Sequence, residues 1–238
     1  MTWTKVGMLL GSFLLSAISA LAQGTVTFSI GNPKPIVNEP YSVVEQTEHA
    51  QTLADGTRML TKTQKRLYRD SSGRTRTESF PNHSGIPSTE PTVIEIHDPV
   101  AGKAYRLFVQ TRVAQLMAPP QKFLANPNVA QRPVPPSESM HPVSMSEQLE
   151  SQMIEGISTD HVRTATTFPE GMLGNDRPIQ LVHERWVSSE LGLTLQEKTS
   201  DPRFGETVMR VTSLDRSEPV PSLFQLPPDY VLQDPNAQ

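Results

Sequence analysis

Short extended segments separated by turn residues recur along most of this chain, and this pattern constrains its fold more than any other feature. The clearest hairpin signal is Asp55-Gly56, because glycine readily adopts the positive φ that a tight turn requires. Residues 41–53 before this turn and 58–70 after it are rich in strand-forming side chains. Long hairpins joined by short turns predict a mainly β protein built around an antiparallel meander.

Other segments either are rich in strand-forming residues or alternate apolar and polar residues, and they predict further strands. These segments are residues 75–80, 92–97, 103–109, 112–117, 179–187, 193–199 and 206–214, preceded by a short alternating stretch at Val26, Phe28 and Ile30. Alternation also returns at residues 162–168, whereas residues 147–153 have a weak helical pattern that Ser146 could cap. The predicted fold class is one large, mostly antiparallel sheet with one face partly exposed to water.

The first 22 residues have the pattern of a cleavable secretion signal. Lys5 precedes an apolar run over residues 6–18, and Ala20-Leu21-Ala22 provides the small side chains that a signal peptidase accepts. Cleavage before Gln23 would place the protein in the periplasm or outside the cell. The alternative is an uncleaved anchor helix, for which the run is shorter than the usual span of about 20 apolar residues.

The composition excludes several classes of function. The chain has no cysteine, which removes disulfides, thiolate nucleophiles and sulfur metal ligands. Its 21 basic and 25 acidic side chains give a net charge of −4, so no overall positive field is available to attract a nucleic acid. Beyond the signal, no segment is apolar enough to predict a membrane span, so we expect neither a nucleic-acid partner nor a stable membrane anchor.

Proline is concentrated in residues 118–146, which we predict to be an extended crossover or a lid. The prolines are Pro119, Pro120, Pro127, Pro133, Pro135, Pro136 and Pro142. Proline lacks the amide donor and fixes φ, which disfavours regular sheet and helix. The predicted organisation is a signal peptide at 1–22, one β-rich domain at 23–232 that contains this segment, and a disordered tail at 233–238.

Motifs for catalysis and for metal binding are not evident. The sequence contains no nucleophile elbow, no paired-histidine zinc motif and no phosphate-binding loop. Six histidines are scattered without ligand spacing, and Asp98 and Asp201 each precede a proline, a pattern typical of turns. We therefore predict no catalytic residue, no metal site and no cofactor, and interpret the protein as a non-enzyme.

Basic side chains are concentrated on the second and third predicted strands, where two interpretations are open. They are Arg58, Lys62, Lys65, Arg66, Arg69, Arg74 and Arg76. They could form a docking surface for an acidic partner or for anionic lipids. They could equally pair with Glu45, Glu48, Asp70 and Glu78 on the same or adjacent strands and form a solvated sheet face.

The C-terminal half contains an ordered series of short motifs: Glu184-Arg185-Trp186, Leu191-Gly192-Leu193, Asp201, Gly205-Glu206-Thr207, Val211-Thr212-Ser213-Leu214, Pro219 and Leu223-Phe224-Gln225-Leu226-Pro227, with Tyr68-Arg69-Asp70, Gly73-Arg74, Ile96-His97-Asp98-Pro99 and Tyr105 upstream. This series resembles the closing strands of the periplasmic lipoprotein-carrier and sigma-factor-regulator (LolA/LolB/RseB-like) superfamily. The chain is also similar to uncharacterised exported acidobacterial proteins. These motifs span about two thirds of residues 23–238 and consist mainly of turn and core signals.

The resemblance implies an incomplete, half-open barrel: a curved antiparallel sheet whose apolar inner face is covered by short helices or loops and accepts lipid. Candidate cavity-lining residues are Tyr105, Leu107, Trp186 and Leu195, although such residues are more often simply core. Alkyl burial would stabilise a bound chain by about 0.8 kcal/mol per methylene. The implied function is a binding protein for a lipid or a lipidated protein; the alternative is an envelope protein-interaction domain without a ligand cavity.

Overall fold

The computed structural model describes residues 36–81, 88–117 and 141–233. These residues contain twelve strands and one short 3-10 helix, joined by turns and loops. The strands are β1 Tyr41–Thr52, β2 Arg58–Arg69, β3 Thr75–Ser79, β4 Val93–Asp98, β5 Lys103–Phe108, β6 Val113–Leu116, β7 Val143–Ile154, β8 Ile157–Phe168, β9 Ile179–Ser188, β10 Leu193–Asp201, β11 Gly205–Asp215 and β12 Val231–Gln233, with the 3-10 helix at Pro221–Phe224. No helix among these residues is long and apolar enough to cross a membrane.

All twelve strands belong to one sheet, in the order β12-β6-β5-β4-β3-β2-β1-β11-β10-β9-β8-β7. Neighbouring strands are antiparallel except at one edge, where β12 runs parallel to β6. The two edge strands are β12 and β7, and they do not pair with each other, so the sheet stays open. The prediction of a mainly β protein built on one large, curved, incomplete barrel is confirmed.

Local turn chemistry accounts for the long hairpins. At the β1–β2 turn Gly56 has φ +86°, and the Asp55 carboxylate accepts a hydrogen bond of 2.9 Å from the amide of Thr57. At the β2–β3 turn the buried Asp70 accepts hydrogen bonds from the amides of Ser72 and Arg74 at 3.0 and 2.8 Å. These turns fix the pairing register of the three strands, which form where the sequence predicts them.

Residues 147–153 correct one prediction, because they belong to strand β7 and not to a helix. β7 pairs along its length with β8, so its backbone groups are satisfied by a neighbouring strand. The weak helical pattern had no apolar face to bury, and tertiary pairing therefore decided the structure. Residues 143–146 are also part of β7, so the proline-rich segment gives way to sheet before residue 146.

Several predicted features lie outside the described residues. They are the signal peptide, the short strand at Val26, Phe28 and Ile30, residues 118–140 of the proline-rich segment, and residues 234–238 of the tail. Gln233 belongs to β12, so the start predicted for the tail is one residue too early. Residues 117–142 connect β6, next to one edge of the sheet, with β7 at the other edge.

The buried apolar side chains form two separate clusters. Cluster 1 contains Tyr41, Val43, Ile157, Leu191, Leu195 and Val211, with Leu67, Ile154, Leu193 and Leu214 packed against it. Cluster 2 contains Ile94, Ile96, Leu107, Ala114 and Tyr230, with Tyr105, Val109 and Leu226 packed against it. Two clusters follow from the width of the sheet, since a single core cannot serve strands as far apart as β5 and β9.

Candidate functional site

A groove of about 450 Å³ lies across β1, β11 and β10, in the middle of the sheet. Its lining consists of Glu45, Thr47, Leu193, Thr194, Glu197, Thr199, Thr207 and Met209. Two carboxylates and four threonine hydroxyls share this lining with the apolar side chains of Leu193 and Met209, so the groove can bind a cationic group together with the methylenes that carry it.

The strand register explains why these side chains meet. Met209 of β11 lies between Thr47 of β1 and Glu197 of β10, because it pairs directly with both. Thr207 pairs in the same way with His49 on one side and Thr199 on the other. Residues that pair directly share a face of the sheet, so Thr47, Met209 and Glu197 of the first row project into the same groove as Thr207 and Thr199 of the second.

Glu197 is held as an anion at one wall of the groove. His183 Nε2 donates a hydrogen bond of 2.7 Å to Glu197 Oε1, which lowers the pKa of that carboxyl below its ordinary value. Burial opposes this shift, and the positive charges of His183 and Arg185 add to it. Glu197 is therefore a fixed negative group whose neighbours already compensate part of its charge.

Glu45 lies at the opposite wall and is poorly compensated. Its side chain is only 17% exposed, and its ion pair with the half-exposed Lys65 is long, at 4.0 Å. Burial raises the pKa of Glu45, Lys65 lowers it, and the negative charge of Glu197 raises it further. A ligand ammonium or guanidinium between the two carboxylates would supply the missing counter-charge.

Replacing Glu45 by glutamine should change the pH dependence of stability. Because the folded protein raises the pKa of Glu45 above its ordinary value of 4.5, the stability it contributes is present below about pH 4.5 and is lost as pH rises through the folded pKa. Glu45→Gln should therefore gain stability over the wild type as pH rises from 4 to 7, measured by urea midpoints.

Glu197→Gln serves as the control with the opposite sign. The pKa of Glu197 is lowered in the fold, so its contribution to stability is present at neutral pH and is lost in acid. This variant should lose stability relative to the wild type at pH 7 and recover towards it in acid. If both variants shift the urea midpoints in the same direction at pH 7, the assigned electrostatics of the groove are wrong.

The four residues predicted to line a cavity lie in different places. Leu107 is fully buried in cluster 2, and Tyr105 packs against the same cluster. Leu195 is fully buried in cluster 1. None of the four lines the groove, although Leu193 both lines it and packs against cluster 1.

Trp186 is held by polar and aromatic contacts. Its ring stacks on that of His161, with centroids 4.0 Å apart, and its Nε1 donates a hydrogen bond of 3.0 Å to Gln152 Oε1. Trp186 pairs with Gln196, the neighbour of Glu197 along β10, so its side chain projects from the face opposite to the groove. Trp186 therefore does not line this groove, and its predicted role in lining a cavity elsewhere stays a prediction.

The basic side chains of β2 and β3 are largely engaged within the sheet. Lys62 pairs with Glu48, and the buried Arg76 pairs with Glu78 at 2.8 Å. Arg69 is buried and donates to the backbone carbonyls of Glu39 and Leu191. Lys62 and Arg76 thus pair with acidic residues as one of the two interpretations expects, whereas Arg69 is satisfied by backbone carbonyl groups. In the parts of the chain that the structure describes, no group of histidine and acidic residues is placed to hold a metal ion.

Comparisons with known proteins found similarity among solved structures. No protein-family model matches the sequence, and no curated protein does. Similar solved structures include an uncharacterised conserved protein from Thermus thermophilus, with a TM-score of 0.45 and 10% identity over 82% of this chain and 90% of that one. They also include Pseudomonas aeruginosa MucB in the MucA/MucB complex, with a TM-score of 0.40 and 12% identity over 81% of this chain and 57% of that one.

A third similar structure is a LolA superfamily protein from Nitrosomonas europaea, with a TM-score of 0.32 and 10% identity over 79% of this chain and 90% of that one. A LolA superfamily protein is thus among the solved structures to which this chain is similar, as the sequence resemblance predicts. At these identities and scores the likeness says nothing about which ligand this chain binds.

Proposed function

We propose that this chain is a non-enzymatic binding protein of the periplasm or the extracellular space, and that its groove holds a lysine or arginine side chain of a protein partner. The observation that carries this proposal is Glu45, a mostly buried carboxylate with a raised pKa and only a distant cation. An incomplete counter-charge is costly in a buried site, and a ligand cation removes that cost on binding.

The groove also suits an extended peptide. It runs across three strands, and the threonine hydroxyls of Thr47, Thr199 and Thr207 offer donors and acceptors beside the two carboxylates. Met209, which lies between Thr47 and Glu197, gives an apolar surface for the methylenes of a lysine or arginine side chain. A protein partner thus becomes the first candidate, ahead of the lipid that the sequence resemblance implies.

A lipid or lipidated protein is the second candidate, and Leu193 is the observation that favours it. This side chain connects the groove to cluster 1, where Leu195 is fully buried. An alkyl chain entering from the groove would reach that cluster first and would have to separate its packed side chains. Within the groove such a chain would contact Leu193 and Met209, but it would also lie against the two carboxylates, which favour a cation.

Selection of random peptides on the protein tests the first candidate. We expect the selected peptides to contain lysine or arginine and to lose binding by about ten-fold or more on the Glu45→Gln, Glu197→Gln double variant, because a buried charge-assisted contact is lost. Glu95→Gln is the matched control, since Glu95 is an exposed glutamate of β4 that pairs with Arg106 away from the groove.

Two results would contradict the proposal. Selected peptides without a cation, or equal binding by the wild type and the double variant, would remove the groove as the recognition site. Cleavage of the bound peptides, detected by mass spectrometry, would show a hydrolase, because carboxylates with pKa values displaced in opposite directions also serve acid–base chemistry.

A further inference from the structure

In the described part of the chain, strand β7 forms one edge of the sheet over twelve residues. Among the described residues it pairs only with β8, so the backbone groups on its outer side have no strand partner. The other edge is different, because β12 is three residues long. Long uncovered edges bind other strands readily, and natural proteins usually shorten or block them. The asymmetry between the two edges marks β7 as the side where a strand can be added.

The first half of β7 is the regular part of this edge. Residues 143–149 pair one to one with β8, whereas the register shifts between Leu149 and Gln152. A bulge of this kind bends a strand and interrupts its ladder of hydrogen bonds. A new strand could therefore align with residues 143–149 but not continue regularly beyond them.

Side chains alternate along this edge in a way that a partner strand can match. Val143 and Met145, which are 59% and 74% exposed, project on the same face as Glu147. On the other face Ser144 and Ser146 contact Thr166 and Thr164 of β8 through hydroxyl pairs of 2.9 Å. An added strand would extend an apolar row on one face and a hydroxyl row on the other.

Charge indicates which kind of strand fits. The only ionisable side chains on β7 are Glu147 and Glu150, and no lysine or arginine is present to repel an incoming basic segment. Glu147 is half exposed even though it pairs with Arg163 at 2.9 Å. A second copy of this chain in antiparallel pairing would bring glutamates close to glutamates, which is unfavourable, whereas a basic partner strand is complementary.

We propose that the outer edge of β7 at residues 143–149 binds an extended segment of a partner protein by strand addition. The segment would carry apolar residues opposite Val143 and Met145 and a lysine or arginine opposite Glu147. This surface is separate from the groove, since β7 and β10 are separated by β8 and β9. The two sites can therefore be tested independently.

The probes are two synthetic peptides of alternating valine and threonine, one with a central lysine and one with a central glutamate. We expect the lysine peptide to slow amide hydrogen exchange at residues 143–149 and to bind about five-fold more tightly than the glutamate peptide, as cross-strand charge pairs do. In the free protein the outward amides of these residues should exchange rapidly. Slow exchange there without peptide would show an edge already occupied, and would overturn the proposal.

Met145→Lys and Met153→Lys form a matched pair of variants. Both methionines are exposed on β7, but Met153, which is 68% exposed, lies beyond the bulge. Met145→Lys should weaken binding of the lysine peptide by about ten-fold, whereas Met153→Lys should leave the affinity for this peptide unchanged. The two variants should have equal melting temperatures. Equal affinities of the two variants for the lysine peptide would show that this edge is not the binding site. If light scattering shows that the wild type is a dimer and that Met145→Lys dissociates it, the edge pairs with a second copy of this chain. Either result would overturn the proposal.

Discussion

Gly205→Ala should lower the free energy of unfolding by about 2–5 kcal/mol, the sum of left-handed backbone strain and local overpacking. Gly205 begins β11 with φ +93°, and a Cβ built there would lie 2.1 Å from the carbonyl oxygen of Ala50 and 3.0 Å from Gln51 Cα. Both contacts are with backbone atoms of β1, so relief requires the two strands to move apart. Urea denaturation measures the loss.

Gly56→Ala is the matched control for this substitution. Gly56 has a similar φ of +86°, but a Cβ there meets nothing within 4 Å. It should cost only the strain of the positive φ, about 1–2 kcal/mol. An equal loss in the free energy of unfolding for the two alanine variants would contradict the close approach of β1 to β11 at Gly205.

Leu195→Ala should lower the free energy of unfolding by about 2–5 kcal/mol, because it opens a cavity in a packed cluster. Leu195 has no exposed surface and contacts the other members of cluster 1. Leu60→Ala is the control: Leu60 is 51% exposed near the β1–β2 turn, and its loss should cost no more than about 0.5 kcal/mol.

Leu195 also distinguishes packing from ligand binding. A residue that lines an open lipid cavity tolerates truncation, because the space beside it is already unfilled. A loss of less than about 1 kcal/mol for Leu195→Ala would therefore contradict its place in a packed cluster and would favour the lipid candidate. The chemical denaturation of both leucine variants decides between these outcomes.

The strands could be predicted from the sequence wherever local chemistry determines them. Asp55 and Gly56 specify the first hairpin through a side-chain hydrogen bond and a positive φ, both of which are properties of the turn itself. The alternation in β4 predicts a strand because Ile94 and Ile96 bury one face of it. By contrast, β7 has no buried face to produce alternation, and only its pairing with β8 makes it a strand.

The groove could not be predicted, because it depends on pairing between strands far apart in sequence. Glu45 and Glu197 meet only because β11 lies between β1 and β10, and no local pattern indicates that order. The sequence analysis instead selected apolar residues as candidates. Leu107 and Leu195 are indeed buried, but burial in two clusters of one wide sheet does not bring them to a common site.

Native mass spectrometry of the wild type and of the Glu45→Gln, Glu197→Gln double variant, each purified from a bacterial envelope without detergent, tests the central claim most directly. We expect the wild type to retain a polypeptide that the double variant does not, and organic extraction of both to yield no stoichiometric lipid. A stoichiometric lipid retained equally by the wild type and the double variant would contradict the claim that the groove binds a cationic side chain of a protein partner.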